Sequence, residues 1–526
     1  MRERAARLHS VRGARAVGYS WGMNARDLLA ALLDPGTFRS WDNAPADVRP
    51  GPAYAAELAG AREKTGLDES VMTGTGLIGG RRVAVAASEF AFLGGSIGVA
   101  AGERLARAVG RATAERLPLI SLPASGGTRM QEGTVAFLQM VKITAAVAAH
   151  KAAHLPYVAY LRYPTTGGVF ASWASLGHLT IAEPGALIGF LGPRVYQALH
   201  GASFPPGVQT AENLLAHGLV DAVVPPGELA AFLDRVLTAL TPAPHSIAAP
   251  QESTDLGSGP AWASVLRTRE AGRPDTADLI RVAGTDTVPL PQAGVILALA
   301  RIGGYPCVVI GTDRHGPAPG PAGLRLARRG IRLATELRLS LVTVIDTPGA
   351  ELSPRAEEDG LAREIAFCLA DLITHRGPTV SLLLGQGTGG AALALLPADR
   401  TLAAQHAWLA PLAPEGASAI VYRDASHAAE LAARQRIRAA DLAGLGIVDR
   451  VIPEGDGDTL CRDLGHALHA ELADVTAQDE EARLAARARR YRRLGLISPL
   501  RLDQYGFNRF ARTMRAGRTT SAPCAH

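Results

Sequence analysis

The sequence predicts an α/β protein that is built from two related domains. A chain of 526 residues, of which 47% are hydrophobic, is long enough to form more than one complete core. Short apolar runs alternate with helical patterns such as residues 133–149, which indicates strands that are buried on both faces. Glycine clusters recur at a constant offset, since Gly349 lies 222 residues after Gly127 and Gly389 lies 222 residues after Gly167. A repeat of roughly 200 residues has the length of a domain.

Changes in composition along the chain predict the domain boundaries. Asn24 is expected to cap a helix that begins at Ala25. A stretch rich in Pro, Ser and Gly, without helical or strand periodicity, marks a linker. The predicted order is a basic N-terminal lead-in at 1–25, a first domain at 26–240, the linker at 241–261, a second domain at 262–455, and a C-terminal helix with a basic tail at 456–526.

The net charge of +5 comes from one end of the chain. Residues 482–526 contain eleven arginines and one aspartate, so the rest of the chain is mildly acidic. Residues 483–494 predict a basic helix whose solvated face packs on a subunit or docks an acidic partner. This distribution disfavours nucleic-acid binding.

Cysteine usage and hydropathy exclude several protein classes. The four cysteines lie far apart and form no Cys-x-x-Cys pair, so neither a metal site nor a disulfide framework is predicted. No stretch of about twenty apolar residues is free of charge or proline, and the N-terminus has no apolar signal segment. We therefore expect a reduced cytoplasmic enzyme that does not span a membrane.

Two Gly-Gly pairs carry the chemistry that the sequence suggests. Gly167-Gly168 and Gly389-Gly390 each follow an apolar, β-branched run and precede a stretch of small residues. At such a strand-to-helix junction, free backbone N–H groups face an anion. Each pair is therefore a candidate oxyanion hole.

Longer motifs around these pairs resemble a known enzyme. In the first half, FAFLGGSIG (90–98), ASGGTRMQE (124–132) and IAEPGALIGFLGPRV (181–195) closely resemble the carboxyltransferase β subunit of bacterial acetyl-CoA carboxylase. In the second half, IDTPGA (345–350), GQGTGGAALA (385–394) and APEGA (413–417) resemble the α subunit. The likeness covers roughly residues 25–455, so the chain looks like a β–α fusion.

This resemblance implies a fold, a reaction and partners. The fold would be two tandem crotonase-like domains of repeated ββα units. The reaction would transfer the carboxyl group of carboxybiotin to acetyl-CoA, giving malonyl-CoA for fatty acid or polyketide synthesis. Biotin would arrive on a separate carrier protein served by a biotin carboxylase, because Lys142 lacks the Met-Lys-Met setting of a biotinylated lysine. In this superfamily the β-like and α-like domains of one site commonly come from different protomers, so a homodimer or larger assembly is expected.

The resemblance also assigns residues. Gly167, Gly168, Gly389 and Gly390 match the family's two oxyanion-forming pairs, one for the thioester enolate and the other for the ureido oxygen of biotin. The expected substrate-binding residues are Gly126, Gly127, Arg129, Arg194 and Gly349. For each of the two arginines a structural role fits the sequence equally well. Glu183 and Glu415 are expected to fix loops, and no metal is expected.

The chain departs from the family in places, and these departures leave alternatives open. No zinc ribbon precedes the first domain, and the stretches 282–291, 312–320 and 350–353 diverge from the usual α pattern on the side expected to meet biotin. One alternative is a decarboxylase of the malonate or malonyl type on the same fold. Another is a catalytically weak partner subunit of a carboxylase.

Overall fold

The computed structural model describes residues 23–45, 49–243 and 259–495. The chain divides into a first unit that ends at Asp234 and a second unit that begins at Arg235. The predicted lead-in lies outside the described residues up to residue 22, and most of the predicted linker, residues 244–258, lies outside them as well.

The first unit is an α/β structure. Its strands are β1 (Arg39–Ser40), β2 (Val71–Ile78), β3 (Arg81–Ser88), β4 (Leu119–Leu122), β5 (Tyr157–Leu161), β6 (Thr165–Thr166), β7 (Leu179–Ala182), β8 (Ile188–Gly189) and β9 (Ala222–Val223). Its helices are α1 (Ala25–Leu32), α2 (Pro52–Thr65), α3 (Val99–Ala114), α4 (Gly133–Phe137), α5 (Gln139–Ala152), α6 (Gly167–Phe170), α7 (Pro193–His200), α8 (Ala211–Ala216) and α9 (Leu229–Ala239), the last of which crosses into the second unit. Asn24 caps α1 as predicted, because its side chain accepts a hydrogen bond from Asp27 N.

The main sheet of the first unit has the strand order β1-β2-β3-β4-β5-β7-β9. Strands β1 to β3 pair antiparallel, and the sheet is parallel from β3 onward. Every residue of β4 and β5 is buried, as predicted for strands covered on both faces. Strands β6 and β8 form a separate parallel pair.

The second unit repeats this plan. Its strands are β10 (Gly284–Pro289), β11 (Val295–Ile302), β12 (Tyr305–Thr312), β13 (Ser340–Thr347), β14 (Thr379–Thr388), β15 (Arg400–Ala404), β16 (Trp408–Ala410) and β17 (Arg450–Ile452). Its helices are α10 (Ala261–Thr268), α11 (Thr276–Ala283), α12 (Pro321–Leu337), α13 (Pro354–Glu358), α14 (Leu361–Thr374), α15 (Gly389–Leu393), α16 (Pro414–Tyr422), α17 (Ala428–Arg434), α18 (Ala439–Gly444), α19 (Gly457–Ala477) and α20 (Glu480–Arg493). The strand order is β10-β11-β12-β13-β14-β15-β17, and β16 pairs with β14.

The internal repeat extends to single main-chain contacts. Several contacts of the first unit recur in the second with both partners shifted by 222 residues. The matched N–H to O pairs are Leu117–Ala112 with Leu339–Ala334, Leu119–Pro156 with Leu341–Pro378, and Arg129–Ile97 with Glu351–Pro319. The bridges Ser125–Thr165 and Thr347–Gly387 share the same offset. The constant spacing of the glycines in the sequence therefore reflects a repeated backbone.

Helices α3 and α12 occupy matching places and are amphipathic. In α3, the buried residues Ala101, Leu105, Val109 and Ala112 recur at helical spacing and pack into the core of the first unit. Helix α12 buries Leu324, Ala327, Ile331 and Ala334 in the same way. Each helix follows an antiparallel strand pair, which gives the ββα order.

The predicted end of the second domain near residue 455 was wrong. Helix α19 buries Leu460, Leu464, Leu468 and Leu472, so it belongs to the core of the second unit. Helix α20 follows it directly.

Helix α20 also corrects the prediction of a solvated basic face. Arg487 is 2% exposed, and its Nε and Nη2 atoms each donate to the Asp399 carboxylate at 2.8 Å. Arg490 pairs with Asp449 at 2.6 Å. The arginines of this helix thus hold it against its own unit, because a buried guanidinium needs an anionic partner.

Helix length and apolar composition were also compared with those of membrane spans. Within the described ranges, no single helix is long and apolar enough to cross a bilayer. The bent pair at 130–137 and 139–152 meets these criteria together, on length and composition alone. The helix predicted at 133–149 is thus two helices, α4 and α5, with a bend at Leu138.

Candidate active site

The first Gly-Gly pair begins helix α6, directly after strand β6. Gly167 has a positive φ of 62°, which favours glycine at this position. Its N–H donates to Phe190 O at 3.1 Å, so this group is already bonded. The N–H of Gly168 has no hydrogen-bond acceptor within the described part of the chain. Of the two predicted oxyanion donors in this unit, Gly168 is the one that is available.

The loop at 126–129 packs directly on this pair. A Cβ atom added to Gly127 would lie 3.5 Å from Gly168 N, and Gly127 has a φ of 111°. Gly126 N donates to Gly94 O at 2.9 Å, and Gly127 N donates to Ser125 Oγ at 3.0 Å. Because both N–H groups are bonded, Gly126 and Gly127 contribute close backbone approach next to Gly168 rather than hydrogen-bond donors.

The second Gly-Gly pair begins helix α15 at the end of β14. Gly389 has a φ of 63°, nearly the value at Gly167. The N–H of Gly390 has no acceptor among residues 23–45, 49–243 and 259–495. The turn at Gly349 also repeats the first unit, because Gly349 N donates to Thr347 Oγ1 at 3.2 Å just as Gly127 N donates to Ser125 Oγ. Each unit therefore presents one unpaired backbone donor at the same point of the fold.

Arg129, predicted to contact the CoA side, is occupied inside the protein. Its side chain has no exposed surface and pairs with Glu69, with Nη2–Oε1 at 2.5 Å and Nη1–Oε2 at 2.9 Å. It also donates to Ser96 O at 2.7 Å. These contacts correct the substrate-binding prediction for Arg129, because the guanidinium would have to abandon a buried carboxylate to reach a ligand.

The remaining predicted residues stand as follows. Arg194 is the second residue of α7, and its side chain is not among the described atoms. Glu183 accepts a hydrogen bond from Tyr163 N at 3.0 Å. Glu415 pairs with Arg269 at 2.5 Å, and this contact holds the pKa of the Glu415 carboxyl below its usual range. Both glutamates thus tie loops, which is the role that the sequence suggested.

A buried carboxylate that the sequence analysis left as a turn residue supports the second pair. Asp346, at 2% exposure, accepts Gln386 N on Oδ1 and Arg314 Nη1 on Oδ2, both at 2.8 Å. Its own N–H donates to Thr312 Oγ1 at 2.8 Å. These bonds join the ends of β12, β13 and β14 three residues before Gly389. Arg314 lies in the divergent stretch 312–320, where a basic residue close to the invariably acidic end of β13 was the available signal.

The described residues also bear on metal binding. Among them, no group of three or more His, Cys, Asp or Glu side chains is placed to hold a metal ion. The buried cysteines Cys307 and Cys368 have pKa values raised to about 12 by burial, so their thiols stay protonated at neutral pH.

Comparisons with known proteins divide the chain where the two halves meet. A carboxyl transferase domain matches residues 24–245, and a domain described as acetyl co-enzyme A carboxylase carboxyltransferase-like matches residues 259–495. A probable biotin-dependent acyl-coenzyme A carboxylase beta3 subunit from Mycobacterium tuberculosis is 58% identical over 484 residues, which cover 89% of this chain and 98% of the relative. The chain belongs to the biotin-dependent acyl-CoA carboxyltransferase family.

Other carboxyltransferases of this family have both subunits in one chain. The acetyl-coenzyme A carboxylase carboxyl transferase subunits beta/alpha of Salinispora arenicola are 38% identical over 516 residues, covering 90% of this chain and 91% of the relative. The resemblance to a β–α fusion, which the motifs predicted, is confirmed.

Solved carboxyltransferase structures share the fold. Transcarboxylase 12S, a hexamer solved with methylmalonyl-coenzyme A bound, has a TM-score of 0.71 at 21% identity, over 87% of this chain and 90% of that chain. A single-chain, multi-domain long-chain acyl-CoA carboxylase has a TM-score of 0.69 at 20% identity, over 86% of this chain and 46% of that chain. The predicted fold of two crotonase-like domains is confirmed.

Proposed function

We propose that this carboxyltransferase moves the carboxyl group of carboxybiotin, held on a separate carrier protein, to acetyl-CoA and so produces malonyl-CoA. The observation that carries the proposal is the pair of unbonded N–H groups, Gly168 and Gly390, at matching positions of the two units. Carboxyl transfer to a thioester develops negative charge on two oxygens, that of the enolate and that of the biotin ureido group. Two preorganised donors meet that requirement.

The chain's own contribution is to hold charge and position. Carboxybiotin, when bound, supplies the carboxyl group and a basic ureido nitrogen. Gly168 and Gly390 each donate a backbone N–H whose direction does not depend on a side-chain rotamer. Gly167 and Gly389 bend the chain with positive φ so that the next N–H points away from the strand. Losing one such donor costs about 2.7–4 kcal/mol of transition-state stabilisation in enzymes of this kind.

Relatives support the choice of acceptor and partners. The beta/alpha relatives from Salinispora are named for acetyl-CoA, whereas the mycobacterial relative is named for acyl-CoA in general. We take acetyl-CoA as the acceptor, with malonyl-CoA going to fatty acid or polyketide synthesis. A biotin carboxyl carrier protein and a biotin carboxylase are the expected partners, and the cytoplasm is the expected compartment.

Exposed apolar side chains support a homodimer or larger assembly. Met130 is 83% exposed and Leu352 is 86% exposed, and these two residues lie at matching positions, each three residues after the loop glycine Gly127 or Gly349. Large apolar side chains beside a proposed site are expected to be covered in an assembly.

The test is reverse exchange by the full chain. Malonyl-CoA and biocytin are supplied, and acetyl-CoA and carboxybiocytin are measured. We expect exchange by the wild type and a loss of about 100–1000-fold in kcat for Gly168→Pro or Gly390→Pro, because proline has no N–H. Gly168→Ala is the control, since it keeps the N–H and its Cβ stands 3.3 Å from Met140 Cγ.

Two results would contradict the proposal. Equal losses in Gly168→Pro and Gly168→Ala would show that the N–H is not what the reaction needs. Decarboxylation of malonyl-CoA at full rate without biocytin would identify the decarboxylase alternative instead.

A further inference from the structure

The first unit contains a basic cavity that the proposed reaction does not yet use. It has a volume of about 690 Å³, which falls in the size range of small-molecule sites. Its walls come from α3, α5, β2 and the segment before residue 46. The lining residues are Trp41, Asn43, Ala44, Pro45, Thr73, Val99, Ala100, Glu103, Arg104, Arg107, Ala108, Arg111 and Lys142.

The charge of this cavity is unbalanced. Four of its charged lining residues are cations and one, Glu103, is an anion. Arg107 Nε and Lys142 Nζ contact the same Glu103 carboxylate, at 3.0 Å and 2.6 Å, so one negative charge serves two positive ones. Both cations are accessible, at 69% and 41% exposure. A ligand that brings further negative charge would meet two partly compensated cations.

One wall of the cavity offers a flat surface. The guanidinium of Arg111 lies 4.5 Å from the centre of the Trp41 ring, so an aromatic group and a planar cation stand together there. Such a pair favours a heterocyclic base by stacking. Arg104 is different, because it is buried and bonded to Asp68 at 2.8 Å, and it serves the fold.

The cavity adjoins the first Gly-Gly pair through two elements. In α5, Met140 Cγ lies 3.3 Å from the position of a Cβ on Gly168, and Lys142 follows two residues later. Helix α3 begins at Val99, a lining residue, just after Ile97, whose N–H donates to Gly127 O at 2.9 Å. A ligand with a reacting group at Gly168 and a phosphorylated end would span from the pair to the cavity.

We propose that this cavity receives the phosphorylated nucleotide end of the acyl-CoA substrate, with Arg107 and Lys142 contacting its phosphates. The inference rests on the proposed function and adds the location and residues of nucleotide recognition. A pantetheine arm joins the nucleotide and the thioester in CoA, so the two ends need separate sites. The cavity supplies positive charge and a stacking surface, whereas the Gly-Gly pair supplies the oxyanion donor.

The first test separates the two ends of the substrate. The full chain with Arg107→Ala and Lys142→Ala together is assayed in the biocytin exchange with malonyl-CoA and with malonyl-pantetheine, which lacks the nucleotide. We expect the KM for malonyl-CoA to rise about tenfold, with kcat and the KM for malonyl-pantetheine unchanged. The double variant Lys64→Ala and Arg267→Ala, which also removes two charges from exposed helix positions, should behave as wild type. An unchanged KM for malonyl-CoA, or an equal rise for both substrates, would overturn the proposal.

The second test needs no catalysis. Calorimetric titration with adenosine 3′,5′-bisphosphate should show binding to the wild type that malonyl-CoA displaces, and at least about tenfold weaker binding to the cavity variant. Binding that malonyl-CoA does not displace would indicate an independent nucleotide site and overturn the inference. If the wild type showed no exchange, the proposed function would fail, and this titration would still decide whether the cavity binds the nucleotide.

Discussion

The two Gly-Gly pairs follow the same main-chain path, yet different side chains support them. In the first unit the loop that packs on Gly168 ends at Arg129, whose guanidinium is buried against Glu69. The matching residue in the second unit is Glu351, and the support there comes from Asp346 and its partner Arg314. Main-chain hydrogen bonds keep the same register in both units while the ion pairs differ. The common requirement is therefore the position of the backbone N–H groups, which several sets of buried charges can satisfy.

The largest expected effect comes from breaking the support of the first unit. Arg129→Ala leaves Glu69 buried at 3% exposure without its guanidinium, so the free energy of unfolding should fall by about 3–5 kcal/mol. Urea unfolding followed by circular dichroism measures this. Arg81→Ala, in the half-exposed pair with Asp234, should cost about 1 kcal/mol or less. If the two variants lost equal stability, the support would not depend on burial.

The support of the second unit should be weaker. Asp346→Ala removes the acceptor of Gln386 N and of Arg314, but Arg314 is 14% exposed and can reach water, so we expect a loss of about 2–3 kcal/mol. Exchange activity should fall as well, because the end of β14 leads directly into Gly389. Asp346→Asn keeps one oxygen acceptor and should lose less of both. Wild-type stability in Asp346→Ala would contradict this assignment.

Acid should destabilise both units through one buried histidine each. Burial lowers the pKa of His178 to about 3 and that of His375 to about 4. The unfolded chain takes up these protons near pH 6.5 and the folded chain does not, so stability is complete above that pH and falls as the pH drops. Between pH 6.5 and 5, each histidine should cost about 2 kcal/mol.

The measurement is urea unfolding at several pH values. His178→Gln and His375→Gln should each flatten the dependence of unfolding free energy on pH in this interval. Below pH 4 the two histidines should differ, because His375 then becomes protonated in the folded state before His178 does. A slope that neither variant changes would assign the acid sensitivity to other groups.

The smallest expected effect compares alanine at the two donor glycines. A Cβ on Gly390 would lie 2.6 Å from Ile365 Cδ1, whereas on Gly168 its closest neighbours stand at 3.3 Å. Ile365 must move to accept the methyl group, so Gly390→Ala should cost about 1 kcal/mol of stability and Gly168→Ala less. Thermal unfolding resolves the difference. Equal melting temperatures would show that both sites adapt alike.

The repeat and the fold could be predicted because they depend on local pattern. Positive φ at Gly167 and Gly389 favours glycine, so these residues mark the strand-to-helix junctions in the sequence itself. Buried parallel strands such as β4 and β5 appear as continuous apolar runs. Both signals are short in range and need no knowledge of distant partners.

The ion pairs could not be predicted because their partners are distant in sequence. Glu69 lies 60 residues before Arg129, and Asp399 lies 88 residues before Arg487. The sequence therefore left Arg129 divided between two roles and treated the basic helix as solvated. Likewise, nothing local to Gly167 shows that its N–H bonds to Phe190 O, which reduces the predicted donor pair to Gly168.

The contact between α20 and Asp399 decides where the second unit can be cut for separate expression. A fragment that stops at residue 455 would keep Asp399 at 5% exposure while discarding both guanidinium groups that neutralise it. Such a fragment is expected to accumulate in inclusion bodies. A fragment that retains Arg493 keeps the whole of α20, and its yield in the supernatant would report directly on that single carboxylate.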